Sequence, residues 1–132
     1  MTAFAMAMLV VSNVERSRDF YRDVLGLKIR TNSAPHWVDF DLGGGAVLGL
    51  HPSSETLPVR PGSLQLAFHV ANVDAFVTDA RAAGVRILQD PFEERFVRVA
   101  VVADPDGYAV QVGTPKRATQ LAPDEQGTRT AR

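Results

Sequence analysis

His51 and His69, taken with Asp39 and Asp41, are the residues of this chain whose chemistry would reach furthest. Two imidazoles and a carboxylate make a recognised iron or zinc ligand set. A single imidazole titrates close enough to neutrality to act as a general base. Nothing in the spacing makes these groups converge, so His51 and His69 stand as catalytic candidates without an assigned role. Their plainer reading is as solvated or hydrogen-bonded side chains. A second set suits recognition instead. Trp37, the single tryptophan, can stack on a planar group. Met6 and Met8 can mould themselves around an aromatic body, and Gln65 and Gln111 both donate and accept hydrogen bonds. Asp39 and Asp41 would favour a cationic ligand if exposed beside them. Each of these also has a bland account: Met as strand core, Gln as sheet-face filler, Asp as a group that keeps the surface soluble. With no cysteine, disulfides, a thiolate metal centre and a Cys nucleophile are excluded. That fits a reducing cytoplasm, the compartment expected here.

The elements that must position these residues come in two copies. Val11-Ser12-Asn13-Val14-Glu15 is echoed by Val70-Ala71-Asn72-Val73-Asp74, an offset of 59 residues. Each is followed by a helical stretch, a glycine and a short basic-apolar strand, Gly26-Leu27-Lys28-Ile29 and Gly84-Val85-Arg86-Ile87. A second echo matches Gly45-Ala46-Val47-Leu48-Gly49-Leu50 to Gly107-Tyr108-Ala109-Val110-Gln111-Val112. Such self-similarity marks a duplicated supersecondary unit. The pattern predicts an α+β chain of two β-α-β-β-β modules in tandem, at 1–52 and 64–113. Residues 53–63, rich in Pro, Ser and Gly, read as a linker, and 114–132 as a polar, disordered tail.

In detail, the first module predicts a strand over 6–11 and a helix over 15–25, capped by Asn13 and ended by Gly26. Strands follow near 27–31, 36–42 and 45–51. The second predicts strands near 64–70, 85–88, 96–103 and 108–113 and a helix near 74–83. Asp104-Pro105-Asp106-Gly107 has the composition of a tight hairpin turn.

Strand alternation then assigns faces. Leu9, Val11, Val38, Phe40, Leu42, Leu48, Leu50, Val110 and Val112 meet the helices. Met6, Met8, Trp37, Asp39, Asp41, Gly49, His51, Gln65, His69 and Gln111 turn to the opposite, outer faces. Arg98, with Ala100 and Val102, is placed on that outer face too, although the run Val97, Val99, Val101 leaves the choice ambiguous. Curling of the two sheets would make these outer faces one concave cleft, with Phe92 and Phe96 of the 89–96 loop as candidate lid aromatics or local packing.

Bulk properties close other doors. A net charge of −1 argues against nucleic acid or an anionic membrane as a partner. The apolar start, Met1 to Val11, has no basic leader and reads as a strand rather than a secretory signal. No run approaches the ~18 apolar residues of a membrane-spanning helix.

The stretch from Asn13 through Asp19-Phe20-Tyr21 to Gly26-Leu27, together with Asp104-Pro105-Asp106-Gly107-Tyr108, resembles the vicinal oxygen chelate superfamily over about residues 5–113. That superfamily holds glyoxalase I, extradiol dioxygenases, fosfomycin-resistance enzymes and bleomycin-resistance proteins. In its metal-dependent members four cleft positions, usually His or Glu and sometimes Gln, hold the ion. The resemblance carries those positions onto Met6, Gly49, Gln65 and Gln111, and the repeat supports the same placement. Here they offer a thioether, nothing, and two neutral amides, whereas hard divalent ions want carboxylate or imidazole.

The expectation is therefore no metal and no cofactor. The leading reading is a metal-independent protein of the bleomycin-resistance type, sequestering an aromatic natural product or antibiotic. Its ligand contacts would come from Met6, Met8, Trp37, Asp39, Gly49, His51, Gln65, His69, Arg98 and Gln111. The alternative is a glyoxalase-like lyase or isomerase, or a dioxygenase-type enzyme, acting on a small molecule. An accessory binding module with no resistance role is a third reading. The resemblance also implies a homodimer, in which Met6 and Gly49 of one chain face Gln65 and Gln111 of the other.

Overall fold

Asn13 and Asn72, one repeat apart, do the same job in the computed structural model, which describes residues 1–115. Each is extended, and each accepts a hydrogen bond on its side-chain oxygen from the third residue on. Arg16 N–H donates to Asn13 at 2.9 Å and Ala75 N–H to Asn72 at 3.0 Å. Capping of this kind satisfies an otherwise orphaned amide. The helices so started are α1 (Val14–Asp19) and α2 (Val73–Ala82).

The strands are β1 (Met6–Val11), β2 (Lys28–Ser33), β3 (Trp37–Asp41) and β4 (Val47–Pro52) in the first module. The second has β5 (Gln65–His69), β6 (Ile87–Glu93), β7 (Val97–Ala103) and β8 (Ala109–Pro115). The sheets are ordered β1-β4-β3-β2 and β5-β8-β7-β6, with the first pair parallel and the others antiparallel. Even the register repeats. Met8 faces Gly49 across β1 and β4, and Ala67 faces Gln111 across β5 and β8. Two β-α-β-β-β units are thus present, as the internal echoes predict.

By contacts the chain divides into two compact units, residues 1–64 with 104–108, and residues 65–103 with the segment from 109. In the first, Leu9, Val11, Val38, Phe40, Leu48 and Leu50 are fully buried with Tyr21. In the second, Ala100, Val102, Val110 and Val112 pack with Val73, Val77 and Ala80. Among the described residues no helix is long and apolar enough to cross a membrane.

Several local expectations are corrected. The first helix does not run as α-helix to 25. It widens after Asp19 into a π-helical turn over Phe20–Val24, closed by Leu25 N–H on Phe20 O at 3.4 Å. Phe20 and Tyr21 are consecutive aromatics that are both buried, edge to face with centroids 5.0 Å apart. The wider turn accommodates both. Leu42 lies just past β3 and is exposed rather than inward. β6 reaches Glu93 with two register shifts, so Phe92 sits in a strand and not in a loop. β8 takes in Thr114 and Pro115, while the rest of the expected tail, 116–132, lies outside the described residues.

The hairpin turn at 104–107 is built as its composition requires, with Gly107 at φ +93° donating to Asp104 O at 3.0 Å. Asp104 is buried and spends its carboxylate fully. One oxygen accepts from the amides of Asp106 and Tyr108, and the other from Tyr21 Oη at 2.7 Å. Burial pushes the Asp104 carboxyl above its ordinary range, and these donors pull against it. Tyr21→Phe removes one donor from a buried carboxylate, which costs about 1–3 kcal/mol. Urea unfolding at neutral pH should show that loss. It should shrink as pH falls toward about 3.9, the ordinary Asp value, because the raised carboxyl takes up its proton above that value and the unpaired charge is relieved. A loss that did not vary with pH would place the effect in packing instead.

Candidate functional site

On β3, alternation sends Val38 and Phe40 into the core and Trp37, Asp39 and Asp41 to the outer face. The neighbouring outer positions are Val47, Gly49 and His51 of β4, then Met6 and Met8 of β1, which are 43% and 41% exposed. The centre of this face is Gly49, and its missing side chain is what shapes the surface. A Cβ built there would fall on Trp37 Cη2, 2.7 Å from Cζ2 and 3.0 Å from Met6 Sδ. The six-membered ring of the indole therefore occupies the space over Gly49, beside the Met6 sulfur. His51 stands edge-on to the indole, 6.4 Å between centroids.

The other edge of the indole is tied down. Nε1 donates to Asp39 Oδ2 at 2.9 Å. Arg30 closes on the same carboxylate with both prongs of its guanidinium, Nε to Oδ1 at 2.9 Å and Nη2 to Oδ2 at 2.7 Å. Asp39 is only 1% exposed although Arg30 stays 57% exposed. The Arg30 hydrogen bonds, aided by Trp37, hold the Asp39 carboxyl down at about 2 against the opposing cost of burial. The exposure on which Asp39 would favour a cationic ligand is therefore not met. Asp39 is already neutralised, and it serves as a clamp for the ring. Asp41 is exposed, and its Oδ1 accepts from Gly43 N–H at 2.8 Å in the glycine turn. Arg30 is the residue that sequence reasoning missed. A register shift in the β2–β3 pairing between Ile29 and Thr31 takes it out of simple alternation.

The outer face of the second sheet carries the amides. Gln65 Nε2 donates to Gln111 Oε1 at 3.3 Å. A cavity of about 300 Å³ beside them is lined by Ala67, His69, Phe96, Val97 and Gln111. Phe96 is thus at a cavity, with the Arg95 guanidinium 5.3 Å from its ring centre. Arg98 is a correction. Arg98 shares the side of β7 taken by Ala100 and Val102, which lie opposite Val112 and Val110 on the helix face. There it pairs with Asp74 of α2 at 2.8 Å and with Glu93 at 3.1 Å. It is therefore removed from the ligand-facing set.

The four positions carried over from metal-dependent relatives come together in pairs, Met6 with Gly49 and Gln65 with Gln111. They do not fit a metal ion. In the first pair the space is filled by the Trp37 ring, and in the second the amides bond to each other. Among the described residues no three His, Asp or Glu are grouped to hold a cation. His51 and His69 lie in different units, and His51 Nδ1 is 2.7 Å from Pro52 O, which leaves Nε2 as its acceptor nitrogen.

Residues 3–112 match the model of the Glyoxalase/Bleomycin resistance protein/Dioxygenase superfamily. The chain belongs to that superfamily. Within it, the chain is 28% identical over 115 residues to the phenazine antibiotic resistance protein EhpR of Enterobacter agglomerans, covering 81% of this chain and 88% of that one. The crystal structure of TnmS3, an antibiotic binding protein from Streptomyces sp. CB03234, superposes with a TM-score of 0.71 at 26% identity, over 88% of this chain and 98% of TnmS3. Lactoylglutathione lyase from Agrobacterium tumefaciens shares the fold at 21% identity, with a TM-score of 0.67 over 86% and 94% of the two chains. Superfamily membership therefore establishes the architecture, while the chemistry must be argued from the side chains.

Proposed function

We propose that this superfamily member is a metal-independent binding protein that sequesters a planar aromatic natural product, in the manner of a resistance protein. The observation that carries the reading is the Trp37 indole lying over Gly49. The resemblance carries an ion-ligand position of metal-dependent relatives onto Gly49, which supplies only space, and an aromatic ring takes it. With its N–H committed to Asp39, the indole offers a ligand its π face alone. Stacking there is worth about 0.5–1.5 kcal/mol beyond the area buried. Exposed Met6 and Met8 extend the same surface with adaptable thioethers. Likeness to an antibiotic binding protein and to a phenazine resistance protein supports the same class of ligand.

The working form we propose is a cytoplasmic homodimer. Each cleft would join Met6, Gly49 and Trp37 of one protomer to Gln65 and Gln111 of the partner subunit. The amides would then meet the polar rim of the ligand, and His51 and His69 would act as hydrogen-bonding groups beside it. The test is a titration with unsubstituted phenazine followed by emission of the single tryptophan, with native mass spectrometry alongside. Saturable quenching at one phenazine per chain on a dimer, unchanged by EDTA, is the expected result. A stoichiometric transition metal in the purified protein, or quenching lost with EDTA, would overturn it in favour of the glyoxalase-like enzyme.

A further inference from the structure

We infer that the cavity between the free edge of β1 and the segment 56–64 is a subsite for an acidic substituent of the ligand. The inference rests on the binding role proposed above for Trp37. The cavity measures about 300 Å³ and is walled by Met8, Val10, Leu57, Pro58 and Leu64, with Arg60 as its cation. All of these residues belong to the first unit.

Its position follows from strand geometry. Val47 N–H donates to Ala5 O and Ser53 N–H to Val11 O, so the odd-numbered peptides at β1 turn toward β4. The even-numbered ones, Met8 and Val10, turn to the free edge, where Tyr108 Oη donates to Val10 O at 2.7 Å. The cavity therefore lies along a strand edge that carries main-chain donors and acceptors. The segment opposite is anchored at Arg60 itself. Its N–H donates to Tyr108 Oη at 3.4 Å, and its carbonyl accepts from Ser63 Oγ at 2.7 Å.

Charge and continuity choose the occupant. Among the described residues the Arg60 guanidinium has no ion pair, whereas Arg30, the arginine beside Trp37, is committed to Asp39. An exposed, unpaired arginine at a cavity that also carries the Thr56, Ser63 and Tyr108 hydroxyls suits a carboxylate, which its planar fork can meet with two hydrogen bonds. Met8 joins this cavity to the Trp37 surface, because it pairs directly with Gly49 under the indole. A planar ligand lying on Trp37 across β4 and β1 has its edge at Met8, and a group projecting from that edge enters the cavity. The ligand class is thus a planar polycycle bearing a carboxylate or an equivalent anion on one edge.

The experiment compares phenazine-1-carboxylate with phenazine-1-carboxamide, which share ring and shape and differ in charge, by quenching of Trp37. The wild-type protein should prefer the carboxylate by about tenfold or more, as hydrogen bonds to a charged group allow. Arg60→Met should bring the carboxylate down to the carboxamide's affinity and leave the carboxamide unchanged. Equal binding of the two by wild type, or a preference that survives Arg60→Met, would overturn the subsite while leaving the Trp37 reading intact. A preference abolished by Arg30→Met instead would overturn it by moving the anion to Arg30. Failure of both compounds to quench would overturn the subsite together with the reading beneath it.

Discussion

Gly49→Ala is expected to damage both the fold and the ligand site, an unusual result for adding one methyl group to a strand. Glycine weakens a strand interior, so alanine there would ordinarily be neutral or mildly favourable. Here the new Cβ lands on the six-membered ring of Trp37, and the backbone of β4 is held by β1 on one side and β3 on the other. The ring must lift, and overpacking of this kind costs about 1–3 kcal/mol. Two readouts should move together. Trp37 emission should shift to the red as the indole enters water, and ligand affinity should fall about tenfold or more, which is 1.4 kcal/mol or greater. The double variant makes the cause specific. In a Trp37→Ala background the same Gly49→Ala change should cost nothing measurable in urea unfolding, because its collision partner is gone. Wild-type emission and affinity in Gly49→Ala would mean that the indole does not rest on Gly49.

How much of this was legible beforehand depends on which residues interact locally. The modules, the order of their elements along the chain and the outward set of Trp37, Met6, Met8 and Gly49 follow from the repeat and from two-residue alternation. Those signals survive because each buried strand face must be apolar over its whole length. The same logic failed at Arg98. Val97, Val99 and Val101 alternate with Arg98, Ala100 and Val102, so either side of β7 reads as apolar. The decision came from Asp74 and Glu93, acids that sequence spacing does not bring near. The Arg30 clamp was hidden for a related reason, since the register shift in β2 breaks alternation just where it sits. An acidic Asp39 beside a tryptophan was visible as a polar site. Its neutralisation was not, because that depends on a partner nine residues away across a strand pair. The π-helical turn arises from the joint burial of Phe20 and Tyr21, a tertiary demand that overrides helical periodicity.

The Arg30–Asp39–Trp37 clamp yields the second large effect, and its pH dependence gives the sharper test. Asp39→Ala removes a buried acceptor from both the indole N–H and the guanidinium, which costs about 1–3 kcal/mol for hydrogen bonds involving a charged group. Arg30→Met acts differently, by leaving the carboxylate buried and unneutralised beside the ring. In the wild-type protein the carboxyl is depressed to about 2, so its stabilising contribution is present above the ordinary Asp value. That contribution is lost progressively as pH falls from there through about 2. Trp37 emission should accordingly stay constant from neutrality down past pH 3.9, the unperturbed carboxyl value. In Arg30→Met the guanidinium hydrogen bonds that chiefly depress the carboxyl are gone, and the emission should titrate within the usual carboxylate range or above it. Asp39→Asn separates charge from geometry, because its amide oxygen can still receive the indole N–H while nothing is left to titrate. Combining the two, Arg30→Met/Asp39→Asn should recover part of the stability lost in Arg30→Met, since neither charge then remains unpaired. Ligand affinity should follow the order of ring fixation, highest in wild type, lower in Asp39→Asn and lowest in Asp39→Ala. If Arg30→Met showed a flat emission profile from pH 7 to 3, the guanidinium would not be what holds Asp39 ionised. The indole would then be positioned by packing on Gly49 alone.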